Sequence, residues 1–119
     1  MLTIDPWESK LGALLLKKPL DFRDRYVLYL GADAGTTASL LAKEARMLYC
    51  VEPFPEPMSK FLDNVKNENV IPIMESARSY WKYMPMVERV DVLYQDVAQR
   101  DQGDIFCKNF MAFNPEMGI

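Results

Sequence analysis

An α/β fold built on a parallel sheet is predicted by three features of the sequence. Short runs of β-branched, aromatic and aliphatic residues recur along the chain, and segments with helical spacing of apolar positions separate them. The first run ends in a glycine turn that leads into one of those helical segments. Strands that alternate with helices need crossover connections, and crossovers produce parallel pairing.

The elements follow in order. Residues 25–30 (RYVLYL) read as a buried strand, and the turn Gly-Ala-Asp-Ala-Gly at 31–35 leads into a helix over 36–45. Residues 46–51 (RMLYCV) form a second buried strand, closed by Glu52 and the turn formers Pro53 and Pro55. Residues 58–65 place Phe61, Leu62 and Val65 on one side of a helix. A third strand is predicted at 70–74 (VIPIM), with Pro72 assigning it to an edge. The aromatic-rich stretch 79–86 reads as a short helix or an ordered loop. A fourth strand at 90–94 (VDVLY) runs into Gln95, Asp96 and Val97, and a helix over 102–112 stops near Asn114-Pro115. No repeat, low-complexity tract or Gly/Ser linker interrupts the pattern, so residues 1–119 are expected to form one domain.

Composition narrows the function classes. Half of the 119 residues are hydrophobic and 26% are charged, the balance of a soluble globular protein. The apolar run at 11–16 is closed by Lys17 and Lys18, too short to span a bilayer, and no membrane association is expected. Asp5 and Glu8 precede that run, which is unlike a secretory signal, so a cytoplasmic location is expected. The chain has no histidine and no paired-cysteine spacing, which argues against a transition-metal site and against the usual catalytic triads. Any general base is then a carboxylate, a lysine or a tyrosine. Cys50 and Cys107, both in apolar stretches, read as buried thiols. A net charge of −3 argues against strong autonomous binding to nucleic acid. Lys10, Lys17, Lys18, Arg23 and Arg25 form either a local basic face or an ordinary solvated surface, so any action on RNA is expected to need a partner's grip.

The glycine turn carries the clearest chemical signal. A strand that ends in such a turn and feeds a helix points backbone N–H groups at a polar cofactor, and Gly31 and Gly35 permit the turn and a close approach. Glu52 follows Gly31 by 21 residues, at the end of the next strand, where a carboxylate accepts hydrogen bonds from ribose hydroxyls. The third glycine of the dinucleotide pattern is absent. Structural turn glycines beside an incidental surface glutamate are the rival reading of the same spacing.

Five segments in order resemble the fibrillarin family of S-adenosylmethionine-dependent RNA 2′-O-methyltransferases. VLYLGADAGTT at 27–37 is similar to the family's cofactor loop, and Val51-Glu52 to its acidic strand end. NVIPIMESAR at 69–78 is similar to the segment that covers the adenine, VDVLYQDVAQRDQ at 90–102 to the DVAQxDQ stretch, and DPWESKLGA at 5–13 to the N-terminal NPxRSKLAA. The resemblance implies a Rossmann-like methyltransferase sheet of strand order 3-2-1-4. It implies that Gly31, Ala32, Gly35, Thr36, Thr37, Glu52, Glu75, Ser76 and Ala77 line the S-adenosylmethionine pocket. It implies that Lys10 and Asp96 match two members of a catalytic Lys-Asp-Lys-Glu set acting on a ribose 2′-hydroxyl of rRNA or tRNA. A surface lysine and a turn-capping aspartate are the plainer readings of that pair. Family members work in a guide-RNA particle with a Nop-type scaffold protein and a kink-turn-binding protein, in the archaeal cytoplasm or the eukaryotic nucleolus.

The sequence departs from the family pattern in three places. Ser76 stands where an aspartate accepts a hydrogen bond from the adenine, and Glu8 replaces an arginine. The regions that carry the second lysine and the glutamate, and the small N-terminal domain, have no counterpart in residues 1–119, the third departure. This implies a cofactor-binding half truncated at both ends, whose fourth strand is an open edge that another chain completes or leaves exposed. Three hypotheses follow: a methyltransferase domain, an inactive fibrillarin-derived binding or scaffold module, and an unrelated nucleotide-binding α/β protein.

Overall fold

The predicted strands form as β1 (Tyr26–Leu30), β2 (Met47–Val51), β3 (Val70–Ile73) and β4 (Val92–Gln95). The structure is a computed structural model and describes residues 22–97 and 100–119. Lys10 and the rest of the N-terminal motif lie outside the described residues. Helices α1 (Thr36–Leu41), α2 (Pro55–Asn64), α3 (Tyr80–Tyr83) and α4 (Gln102–Phe113) alternate with the strands. A 3₁₀ turn at Met84–Met86 extends α3, which resolves the aromatic stretch as helical. Helix α2 begins earlier than its apolar periodicity suggests because Pro55 and Pro57 sit in its first turn, where no N–H donor is needed.

All strand pairs are parallel, in the order β3-β2-β1-β4-β5, where β5 is Met117–Gly118. Alternate residues of each strand enter two separate cores. Val27, Tyr29, Leu48, Cys50, Val92 and Tyr94 pack on one face with Ala38 and Leu41 of α1 and Met58 and Phe61 of α2. Leu28, Leu30, Tyr49, Val51, Ile73 and Leu93 pack on the other with Tyr83 of α3 and Ile105 of α4. A sheet covered on both faces needs apolar residues at every position, which is why the strands read as continuous runs rather than alternating patterns. Pro72 sits on the edge strand β3, opposite Cys50, where its missing N–H leaves no ladder bond unmade toward a further strand.

Two expectations are corrected. Strand β4 is not an open edge: after Asn114 ends α4 in the left-handed region (φ 49°), the chain returns and pairs with it. The Ile119 amide donates to Leu93 O at 2.8 Å, and the Gln95 amide donates to Ile119 O at 3.1 Å. A Cβ at Gly118 would lie 2.5 Å from the Phe106 ring, so this returning segment presses directly onto α4. The second correction concerns Cys107, which is exposed on α4, whereas Cys50 is buried as expected.

The amino ends of the strands are tied together by Asp91. Its buried carboxylate accepts the Tyr26 amide at 2.9 Å and the Arg89 guanidinium at 2.6 Å, while Arg89 also lies over the Tyr26 ring. Burial alone would raise this carboxyl, but the Tyr26 amide and Arg89, with Arg25 beyond, outweigh it and hold the group below its usual value. A carboxyl that ionises more readily in the folded state stabilises fully above its unfolded value near pH 4 and loses that contribution as pH falls through the folded value. Asp91→Asn is expected to cost about 2 kcal/mol at pH 7. Urea denaturation at pH 7 and at pH 3.5 checks this, the gap between variant and parent narrowing at the lower pH.

Candidate functional site

The connections after β1 and β4 leave on opposite faces of the sheet, so a crevice opens beyond the carboxyl ends of these neighbouring strands. A cleft of about 280 Å³ occupies that crevice, lined by Gly31, Asp33, Glu52, Pro53, Phe54, Pro57, Ser76, Ala77, Asp96 and Val97. Five residues picked from the sequence therefore meet there: Gly31, Glu52, Ser76, Ala77 and Asp96.

Gly31 forms the floor between the two strands. Its φ is +82°, and a Cβ would lie 2.2 Å from the carbonyl oxygen of Asp96. No side chain fits that gap. The turn differs from expectation in one respect, because the N–H groups of its first three residues are spent inside the protein. The amides of Gly31 and Ala32 donate to Val51 O at 2.9 and 3.2 Å, and that of Asp33 donates to the Glu52 carboxylate at 2.9 Å. These three residues thus contribute open space and a positioned carboxylate.

Glu52 is 5% exposed, and both its oxygens are engaged. Oε1 accepts the Asp33 amide and Oε2 the Phe54 amide at 3.1 Å, so the carboxylate bridges the loops that follow β1 and β2. Each oxygen keeps further acceptor capacity for a ligand. Opposite lies the loop after β3, in which the Arg78 amide donates to Ser76 Oγ at 3.2 Å and the Ser79 amide to Ser76 O at 2.9 Å.

The remaining predicted residues among those described surround the cleft without lining it. Ala32 is buried under the turn, and Gly35 (φ +101°) packs on Val65 and Phe61. Thr36 and Thr37 open α1, and Thr37 lies near the Tyr29 hydroxyl. Glu75 faces Lys82 at 3.7 Å. Lys10 is outside the described residues. Asp33, Pro53, Phe54, Pro57 and Val97 line the cleft without having been singled out. The E-P-F-P run was a usable signal, because a large aromatic between two prolines just past a strand has no helix or strand in which to hide; Phe54 is 60% exposed.

Charge and protonation narrow the chemistry. The lining residues include three carboxylates (Asp33, Glu52 and Asp96) and no lysine or arginine. Such a wall attracts a cation and repels a phosphate. Tyr29 and Tyr94 meet edge to face near the same strand ends, with ring centroids 5.1 Å apart. Burial raises both phenols, Tyr94 to about 12 with Asp96 adding to the shift, so both stay protonated at neutral pH. Neither serves as a resting base, which leaves the carboxylates among the described residues at the cleft. No group of acidic, cysteine or histidine side chains suited to a metal ion occurs among the described residues.

A profile of the fibrillarin family matches residues 3–119. The chain belongs to the fibrillarin family. It is 44% identical over 118 residues to the fibrillarin-like rRNA/tRNA 2′-O-methyltransferase of Archaeoglobus fulgidus, covering 95% of this chain and 56% of that protein. The crystal structure of Aeropyrum pernix fibrillarin with natively bound S-adenosyl-L-methionine superposes with a TM-score of 0.85 at 39% identity, over 90% of this chain and 50% of that one. A fibrillarin in complex with Nop5p superposes with a TM-score of 0.83 at 42% identity, over 94% of this chain and 59% of that one. The chain spans about half the length of the curated relatives it matches.

Proposed function

We propose that the chain binds S-adenosylmethionine in the β1/β4 cleft and supplies the cofactor side of an RNA 2′-O-methyltransferase that acts on ribose in rRNA or tRNA. The observation that carries this reading is the Glu52 carboxylate, fixed by two backbone amides on the wall of a cleft floored by Gly31. The residues present fit the group. Glu52 meets the demand of a ribose diol for an acceptor, and three carboxylates suit a ligand with net positive charge. A dinucleotide, with its two phosphates, is disfavoured by the same wall.

The cofactor, when bound, supplies an electrophilic methyl group on a sulfonium. The chain's own residues hold and orient the reactants. Gly31, Ala32, Gly35, Thr36 and Thr37 shape the turn, Glu52 holds the ribose, and Ser76 and Ala77 form the opposite wall, with Glu75 next to it in the chain. Asp96 borders the cleft at the end of β4 and takes or polarises the proton of the acceptor hydroxyl, with Lys10 as the cation that steadies the developing alkoxide. RNA, a guide RNA, a Nop-type scaffold and a kink-turn-binding protein are the proposed partners. The negative net charge agrees with a grip on RNA shared with such partners. A module that binds the cofactor without transferring its methyl group is the second reading of the same cleft.

Reconstitution of the full chain with a scaffold protein, a kink-turn-binding protein, guide RNA and target RNA, using methyl-labelled S-adenosylmethionine, decides between the two. Label at the guided 2′-oxygen supports the transferase. Cofactor binding without label selects the binding module.

A further inference from the structure

We infer that Tyr83 and Asn109 are positioning residues that hold the Ser76–Ala77 wall of the cleft in place from behind; this rests on reading the cleft as the cofactor site. Asn109 is fully buried in the middle of α4, where a polar side chain is costly unless every group is paired. Its pairing is directed at the wall. Asn109 Nδ2 donates to the carbonyl of Ala77 at 3.0 Å and to Ile105 O, one helical turn back, at 2.9 Å. Two carbonyls on the nitrogen side set the amide's orientation and leave Oδ1 to accept from the Tyr83 hydroxyl.

Tyr83 is itself fixed, fully buried and with its ring stacked on Phe113 of α4, centroids 5.9 Å apart and planes 4° from parallel. Burial raises its phenol, which therefore keeps its proton and acts as a donor. The hydroxyl also lies 3.2 Å from Ala77 O, but its one proton is directed to Asn109. The order of action is then Tyr83 on Asn109, and Asn109 on Ala77.

A second tie lies on the surface. Arg78 makes a two-pronged ion pair with Asp101, which immediately precedes α4, at 2.7 and 2.8 Å. The shape of the wall is set by its own Ser76 turn, and its place is set by α4 at two points, one buried and one exposed. Loss of the exposed pair changes little in high dielectric, whereas loss of the buried one takes the Asn109 donor from a carbonyl beside the cleft and leaves it only the longer contact to the Tyr83 hydroxyl.

Calorimetric titration of the full chain with S-adenosylmethionine tests this, comparing wild type, Tyr83→Phe, Asn109→Leu and Asp91→Asn. Tyr83→Phe, which removes the donor to Asn109, is expected to weaken binding about 3-fold, and Asn109→Leu, which removes the bond to Ala77 O together with those to Ile105 O and Tyr83, about 10-fold. Asp91→Asn, which loosens the opposite end of the sheet, should bind as wild type does, because general destabilisation does not move the wall. Wild-type affinity in a folded Asn109→Leu chain overturns the inference, as does equal weakening in Asp91→Asn. A wild-type chain that binds no S-adenosylmethionine overturns the cofactor reading instead. Amide exchange in the ligand-free proteins then decides: faster exchange at Arg78 and Ser79 in Asn109→Leu supports the inference, and unchanged exchange overturns it.

Discussion

Gly31→Ala is expected to abolish S-adenosylmethionine binding and to destabilise the fold by about 3 kcal/mol. Two effects add. Alanine at φ +82° carries left-handed strain of about 1–2 kcal/mol. Its Cβ would also lie 2.2 Å from the carbonyl oxygen and 2.9 Å from the carbonyl carbon of Asp96, and backbone atoms cannot swing aside as a side chain can. Relief requires β1 and β4 to part where Leu30 faces Gln95 and the Asp96 amide donates to Leu30 O at 2.9 Å. The cleft floor is lost in the process. Thermal unfolding and cofactor titration of the variant check both parts, and a loss of about 10 °C in Tm corresponds to the energy above. Gly35→Ala is a useful contrast: its φ of +101° is also strained, but its nearest contacts are side-chain atoms of Val65 and Phe61, which can shift.

Glu52→Ala is expected to weaken S-adenosylmethionine binding by about 100-fold, through the loss of charge-assisted hydrogen bonds to the ribose and of the order they impose. The substitution also deprives the Asp33 and Phe54 amides of their shared acceptor, so the loops after β1 and β2 lose the group that joins them. Glu52→Gln does not rescue the site. A carboxamide offers one oxygen and one NH₂ group, and the NH₂ would face a backbone N–H whichever way the amide turned. Both variants should therefore lie close together in affinity, with a modest loss in Tm that leaves each chain folded. A Gln variant that binds like wild type would mean that Glu52 contributes neither charge nor two-sided acceptance.

Much of this arrangement is legible in the sequence because it is local. Four strands stand out as mostly apolar runs, Pro72 marks an edge, and Glu52 can be placed at a strand end by counting from Gly31. What depends on tertiary return is not legible. Strand β5 is two residues long, includes a glycine and follows a proline, so no periodicity announces it, yet it covers β4. The amides of Gly31 and Ala32 look available in sequence and are consumed by Val51 O, because β2 runs alongside the turn. Asn109 reads as one more polar residue on an amphipathic helix, and only the packing of α4 against the loop after β3 shows that it points inward. Cys107 reads as buried from its apolar neighbours, but Ile105 and Asn109 take the inward positions of the helix and leave it exposed.

The most direct measurement is a calorimetric titration of the purified full chain with S-adenosylmethionine, alongside the same titration with a dinucleotide such as NAD. Saturable one-site binding of S-adenosylmethionine, absent for the dinucleotide and largely lost in Glu52→Ala, is the predicted result. A chain shown to be folded that binds neither ligand, or that prefers the dinucleotide, would contradict the account.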